Sequence, residues 1–119
     1  MSIRSDIADA MRDLLPPEFK ALPYVKALDN ISTPVVMVHR SKITRHETSS
    51  YFDHAVTVHV LVPETLGEAA EDKADAAVEA ALGVLDLLPN LDWAEATRAP
   101  YANFTGYEIT LTATLKHTI

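Results

Sequence analysis

The sequence contains no cysteine, which excludes disulfide frameworks, thiolate metal ligands and cysteine nucleophiles. Only three glycines are present, so neither the dinucleotide-binding fingerprint nor a P-loop can form. No apolar run approaches the ~20 residues that a membrane span requires. The first residues lack the basic region and apolar stretch of a secretory signal. We therefore expect a protein that is made and kept in a cytoplasm and does not enter a membrane.

Basic residues are scarce in the second half of the chain. Residues 63–119 carry three basic and ten acidic side chains, whereas residues 1–62 carry seven of each, for a net charge of −7. A protein that binds nucleic acid by neutralising phosphates carries a basic excess, so ordinary nucleic-acid binding is not expected. The 119 residues, 48% of them hydrophobic, predict one folded domain over residues 1–119.

The hydrophobic pattern predicts two helices and four strands in the order helix, strand, strand, helix, strand, strand. The predicted elements are a helix over 2–15, strands over 33–44 and 51–62, a helix from a capping box at Thr65–Glu68 to about Leu88, and strands over 91–98 and 107–117. Residues 16–32 are predicted to form an irregular connection. This order indicates an α+β fold, with a mostly antiparallel four-stranded sheet and the helices on one face.

Alternation within the strands predicts which face the helices cover. The long helix is expected to pack over a face that bears the following side chains: Val56, Val58, Val60, Ile109, Leu111 and Leu115. For the first hairpin, we predict a register that sets Met37 opposite Val58, Ile43 opposite Phe52 and Val35 opposite Val60, because it brings apolar side chains of both strands together.

The sequence offers no convincing catalytic or metal site. Its five histidines are His39, His46, His54, His59 and His117. The predicted register puts His39 and His54 on one face and His59 on the other, and no histidine spacing suits a metal. The carboxylates fall mostly on the solvated side of the long helix, where general acid–base catalysis is not favoured. We expect neither enzymatic activity nor a cofactor.

Two stretches carry charge of opposite sign. Arg40, Lys42 and Arg45 follow one another without an intervening acid. The long helix carries five acids against one lysine between its residues 68 and 79, namely Glu68, Glu71, Asp72, Asp75 and Glu79. The two stretches are either separate solvated surfaces or complementary contacts between neighbouring subunits. In the second case, apolar contacts are expected nearby, and the candidates are Tyr51, Tyr101 and Phe104.

Features along nearly the whole chain resemble tail terminator proteins of long-tailed bacteriophages, especially those that infect actinobacteria. The resemblance starts with the short amphipathic helix and the Leu14-Leu15-Pro16-Pro17 connection. It continues with the following features in order: the strand Pro34–Arg40, the valine-rich strand that ends in Val62-Pro63-Glu64-Thr65, the acidic alanine-rich helix that runs into Leu85–Leu88, the tryptophan-bearing strand Asp92–Ala96, and a closing strand from about Tyr107.

The resemblance implies a structural virion protein. Such proteins form a ring, commonly a hexamer, on the head-proximal end of the tail tube after assembly in the host cytoplasm. The ring stops polymerisation of the major tail tube protein and offers a docking surface to the head connector. DNA passes through the channel without specific binding. The alternative from another class is a small cytosolic ligand-binding or regulatory domain that acts as a dimer.

Overall fold

A computed structural model describes residues 3–25, 31–45, 51–63, 68–100 and 104–116. Their elements are α1 (Ile3–Leu14), β1 (Lys20–Leu22), β2 (Val35–Arg45), β3 (Tyr51–Val62), α2 (Glu68–Asp86), β4 (Leu91–Arg98) and β5 (Thr105–Lys116). The predicted bounds of β3 and β4 are confirmed. Neither helix in these ranges combines the length and the apolar character that a membrane span needs.

Within the described ranges, the sheet has five strands in the order β1-β2-β3-β5-β4. All neighbouring strands are antiparallel except β1, which runs parallel to β2 through Lys20–Leu22. The predicted α+β class is confirmed, but the predicted number of four strands is wrong. The connection over 16–32, expected to be irregular, contributes β1. A strand of three residues is too short to show a period, so sequence alternation does not reveal it.

Both helices pack on the same face of the sheet, which we call the helix face. There α1 buries Ile3, Ile7, Ala8 and Met11, and α2 buries a stripe of small residues from Ala70 to Leu85. The opposing sheet residues include Val36, Val38, Val56, Val58, Val60, Ile109 and Leu111. The predicted covered face of β3 and β5 is confirmed, with Leu115 half-buried at its margin. We call the other face of the sheet the open face.

The predicted register of the β2–β3 hairpin is wrong by one residue. Val38 lies opposite Val58 and Val36 opposite Val60, and an irregularity between Arg40 and Lys42 shifts the far part further, so Ile43 lies opposite His54. Val36 and Val38 therefore face the helices. Because four consecutive apolar residues begin β2, its sequence pattern is compatible with either register.

A second, smaller cluster explains why the other half of these residues is also apolar. On the open face, Val35, Met37 and Leu61 pack with Phe104, and three half-buried residues cover them, namely Leu22, Val25 and Ile31. Gly106 lies opposite Leu61. A Cβ atom at Gly106 would overlap the carbonyl oxygen of Val60 and lie 2.6 Å from Cδ2 of Leu61. Glycine is required there because the strands leave no room for a side chain.

The helix ends differ slightly from the prediction. Leu14, the last residue of α1, is 54% exposed, and Leu15 after it is buried. Helix α2 ends at Asp86, followed by tightened turns in which the amide of Leu87 donates to the carbonyl of Val84. Asn90 then adopts a positive φ of 65°, which asparagine tolerates better than most residues. The chain thereby turns back into β4.

Candidate functional site

The sheet has two free edges. On the outer side of β2, β1 pairs only with Val35–Met37, so residues 38–45 have no partner strand there among the described residues. The outer side of β4 has none along Leu91–Arg98 within the same ranges. Unpaired strand edges present rows of N–H and C=O groups that are ready to pair with another chain.

The free edge of β2 is basic, and we call residues His39–Arg45 the basic edge. Directly opposed residues of antiparallel strands share a face. Arg40 is opposite Val56 and Arg45 opposite Phe52, which places both arginines on the helix face. Lys42 is opposite Ala55 and belongs to the open face. The three basic residues singled out in the sequence therefore lie on both sides of one strand rather than on one surface.

The opposite edge is acidic, and we call β4 together with the acids of α2 that border it the acidic edge. Asp92 and Glu95 are exposed on β4. Above the strand, three acids of α2 accept hydrogen bonds from β4 and β5. Arg98 donates to both carboxylate oxygens of Glu71, Tyr107 donates to Asp75 at 2.6 Å, and the Trp93 indole donates to Asp86 at 2.8 Å. These contacts hold the helix to the edge strand.

Two of the five acids predicted to contact a neighbour therefore already have partners in the subunit. The hydrogen bond from Arg98 lowers the pKa of Glu71 below its ordinary value. The hydrogen bond to Asp75 raises the pKa of Tyr107, because it favours the protonated phenol. The other predicted acids, Glu68, Asp72 and Glu79, are exposed and take part in none of these three contacts. The sequence does not reveal these three contacts, because the two partners of each lie at least seven residues apart along the chain.

The three candidate apolar contact residues lie in different environments. Tyr51 is 37% exposed at the start of β3. Phe104 is only 8% exposed because it belongs to the cluster of Val35, Met37 and Leu61, so it is a core residue of the subunit. Tyr101 lies outside the described residues. Of the two that the structure describes, Tyr51 is the one on the surface.

The corrected register also changes the histidine assignment. His39 and His59 share the open face, and His54 lies on the helix face, contrary to the prediction. His54 is 9% exposed, and its Nδ1 atom has no hydrogen-bond partner among the residues that the structure describes. Burial lowers the pKa of His54, and the charge of Arg40 lowers it further.

On the open face, burial lowers the pKa of His59, while the carboxylate of Glu108 directly opposite opposes this effect. Among the described residues, no group of three or more suitable side chains is placed to hold a metal ion. His46 and His117 are outside those residues.

A cavity of about 460 Å³ lies on the other flank of α2. Its walls come from the turn after α1, the residues before β2, the end of β3 and the α2 residues Lys73, Ala76, Ala77 and Ala80. Apolar atoms dominate the lining, and Glu18 and Lys73 are its charged residues. The cavity has no signature in the sequence, because four separate segments of the chain form its walls.

Comparison with known proteins adds no family to this description. No protein-family model matches the chain. No curated protein matches it in sequence. The two charged edges, the cavity and the features of the sequence are therefore the observations that bear on function.

Proposed function

We propose that this protein is a tail terminator of a long-tailed bacteriophage, which assembles as a ring, with six copies as the expected number. The ring caps the head-proximal end of the tail tube, stops addition of the tube protein and provides the surface on which the head connector docks. The observation that supports self-assembly most directly is the unlike charge of the two free sheet edges. The sequence features described above supply the kind of assembly.

The sheet order makes an intramolecular match of these edges impossible. Strands β3 and β5 lie between β2 and β4, so the edges are three strand spacings, about 14 Å, apart. Two unlike surfaces on opposite sides of a subunit favour a head-to-tail contact, and such contacts close into rings or continue as filaments. Pairing of like edges would bring like charges together, which disfavours a two-fold dimer.

The charge balance is compatible with a channel that DNA traverses. Each copy carries a net charge of −7, so a ring of copies accumulates negative charge and gives phosphates little reason to bind. In this proposal the partners are a second copy of the chain, the major tail tube protein and the head connector. The place of action is the virion, at the head-proximal end of the tail.

The first test is the mass of the purified chain by native mass spectrometry. We expect a species six times the 13.0 kDa mass of the chain. Arg45→Glu should reduce this species, because it removes positive charge from the basic edge. Arg4→Glu in α1 is the matched control, since it makes the same charge change at a residue that belongs to neither edge.

The effect of salt distinguishes electrostatic steering of ring assembly from the forces that hold the finished ring together. Exposed charge pairs contribute only ~0.2–1 kcal/mol each, so charge should orient the copies more than hold them together. Raising the salt concentration should therefore slow ring assembly more than it dissociates finished rings. A ring that dissociates as strongly as its assembly slows would show that charge is the main holding force.

The biological test removes the gene from a phage that encodes the chain. We expect tails of uncontrolled length, or tails of normal length that never join heads, in electron micrographs. Adding back purified protein should restore joining to heads. Infectious particles with normal tails in the absence of the protein would refute the tail terminator function.

The cavity beside α2 supports the second candidate, a ligand-binding domain. Its volume of about 460 Å³ lies in the range of small-molecule sites, and its lining is mostly apolar with two charged residues. Ala77→Phe should fill the cavity. A set of small amphipathic molecules tested by thermal shift distinguishes the candidates. Stabilisation of the natural chain but not of Ala77→Phe, together with a dimeric mass, would favour ligand binding over a ring.

A further inference from the structure

The charged residues of the two free edges lie at matching levels of the sheet. Through β3 and β5, Lys42 is aligned with Ala55, Thr112 and finally Asp92. In the same way, His39 is aligned with Thr57, Thr110 and Glu95. All of these residues belong to the open face. The basic side chains of one edge thus have the same spacing along the strand as the acidic side chains of the other.

We propose that β2 of one copy pairs antiparallel with β4 of the next copy, so that a continuous sheet runs from subunit to subunit. In this pairing, Lys42 lies opposite Asp92 of the next copy, and His39 lies opposite Glu95. The inference deepens the proposed ring, and it rests on the chain assembling with itself. It adds the strands, their direction and their register.

The strand directions fit this pairing without any reversal of a subunit. Because three successive antiparallel pairings separate β2 from β4, the two strands run in opposite directions within one subunit. Copies that stand side by side in the same orientation therefore present antiparallel edges to each other. In this register residues 38–43 of β2 face residues 91–96 of β4. Thr97 and Arg98 reach the level of Met37 and Val36, where β1 already pairs with β2, so the end of β4 must turn away from the neighbouring sheet there.

The helix face is complementary at the same levels. Ile43 is aligned with Leu91, and Arg40 with Trp93. Ile43 is 48% exposed in the single subunit, and the pairing would cover it with an apolar neighbour. Arg40 would meet an indole ring whose N–H is already bound to Asp86, which suits a cation–π contact beside a carboxylate. The open face of the junction thus contributes polar and charged pairs, and the helix face adds apolar contact.

Edge charges and bulges also serve to prevent strand pairing in many proteins. Here the distribution of charges favours pairing of β2 with β4 over pairing of either strand with its own copy. Pairing of β2 with β2 would place Arg40, Lys42 and Arg45 near their own copies, and pairing of β4 with β4 would do the same for Asp92 and Glu95. Only the unlike pairing brings opposite charges together. The irregularities of the two strands, at Arg40/Lys42 and at Trp93/Glu95, both adjoin the level of Val56 and Leu111.

The chain lacks cysteine, so introduced cysteines report this contact without interference. The test variant carries both Lys42→Cys and Asp92→Cys. Within one subunit these positions are about 14 Å apart, beyond the reach of a disulfide, whereas directly opposed strand residues are within reach. Under mild oxidation we expect linked chains of increasing length, up to a closed ring, on a non-reducing gel.

Matched variants control for random collision. Lys42→Cys with Thr97→Cys keeps both cysteines on the open face but at different levels, because Thr97 is aligned with Met37. This variant should link several-fold more slowly. A mixture of Lys42→Cys chains with Asp92→Cys chains should give a dimer that neither single variant gives alone. Linking at the rate of the Thr97 variant, or equal linking of either single variant with itself, would overturn the proposal.

A charge swap tests the same contact if the cysteine variants fold poorly. Lys42→Asp and Asp92→Lys should each reduce the assembled fraction measured by native mass spectrometry, and the double swap should recover most of it. A double variant no better than the worse single variant would overturn the pairing. Rings seen by electron microscopy without the 42–92 link would leave the ring standing and refute this register. If the 42–92 link forms but phage that lack the protein have normal tails, the tail function is refuted and the contact between copies remains supported.

Discussion

The two faces of the sheet are made by the same strands, yet they have different roles. The helix face carries a continuous apolar core beneath α1 and α2, whereas the open face carries threonines, histidines and charged residues with a small apolar cluster at one end. Strand β5 shows the contrast best, since Ile109 and Leu111 are buried while Thr112, between Leu111 and Ala113, is exposed. Stability comes mainly from one face, which leaves the other face and the strand edges available for contacts.

Truncation of two neighbouring residues on β5 should show the largest difference in stability between the two faces. Leu111→Ala removes a side chain that is 4% exposed on the helix face and should lower the free energy of unfolding by about 2–5 kcal/mol. Thr112→Ala, the matched change on the open face, should cost far less. Urea unfolding monitored by circular dichroism measures both. Equal costs would show that the two faces contribute alike.

Substitutions of two glycines test whether the small cluster of Val35, Met37, Leu61 and Phe104 on the open face is packed as tightly as the core on the helix face. Gly106→Ala should destabilise the protein by about 1–3 kcal/mol, because its Cβ would overlap the backbone of Val60. Gly83→Ala in α2 meets no atom within 4 Å and should stabilise the protein by about 0.5–1 kcal/mol, since alanine favours a helix. Thermal unfolding distinguishes the two changes by their sign. If Gly106→Ala leaves the stability unchanged, the cluster of Val35, Met37 and Leu61 can rearrange to accept the added methyl group.

Acidification should produce a smaller effect, to which both faces contribute. The pKa values of His54 on the helix face and His59 on the open face are lowered from 6.5 by burial. Below pH 6.5 the unfolded chain therefore binds more protons at these sites than the folded chain, so the free energy of unfolding falls as pH decreases. Above that pH this contribution is fully present.

Single substitutions assign the pH effect to a face. His54→Gln and His59→Gln should each flatten the dependence of unfolding free energy on pH, measured between about pH 7.5 and 5.5. Glu108→Gln should steepen it, because the lost carboxylate favours protonated His59 and its removal lowers the pKa of His59 further. A profile unchanged by all three substitutions would mean that neither histidine causes the loss.

The prediction of elements succeeded where a local pattern carried the information. The alternating residues of β3 and β5 identify their buried sides, and the alanine-rich stripe of α2 identifies the side that packs on the sheet. The candidate charged residues were also found in the sequence. Their arrangement on two free edges was not, because the order of strands in the sheet is a non-local property.

The sequence by itself determined the α+β class, the position of six of the seven elements and the unlike charge of β2 and α2. Tertiary structure alone decided the register of β2, the pairing of β1, the partners of Glu71 and Asp75, and the matching levels of Lys42 and Asp92. The reason is physical. Periodicity reports burial along one segment, but Val35–Val38 is apolar on both sides, and only the competition between two helices and the Phe104 cluster settles which residues each face receives.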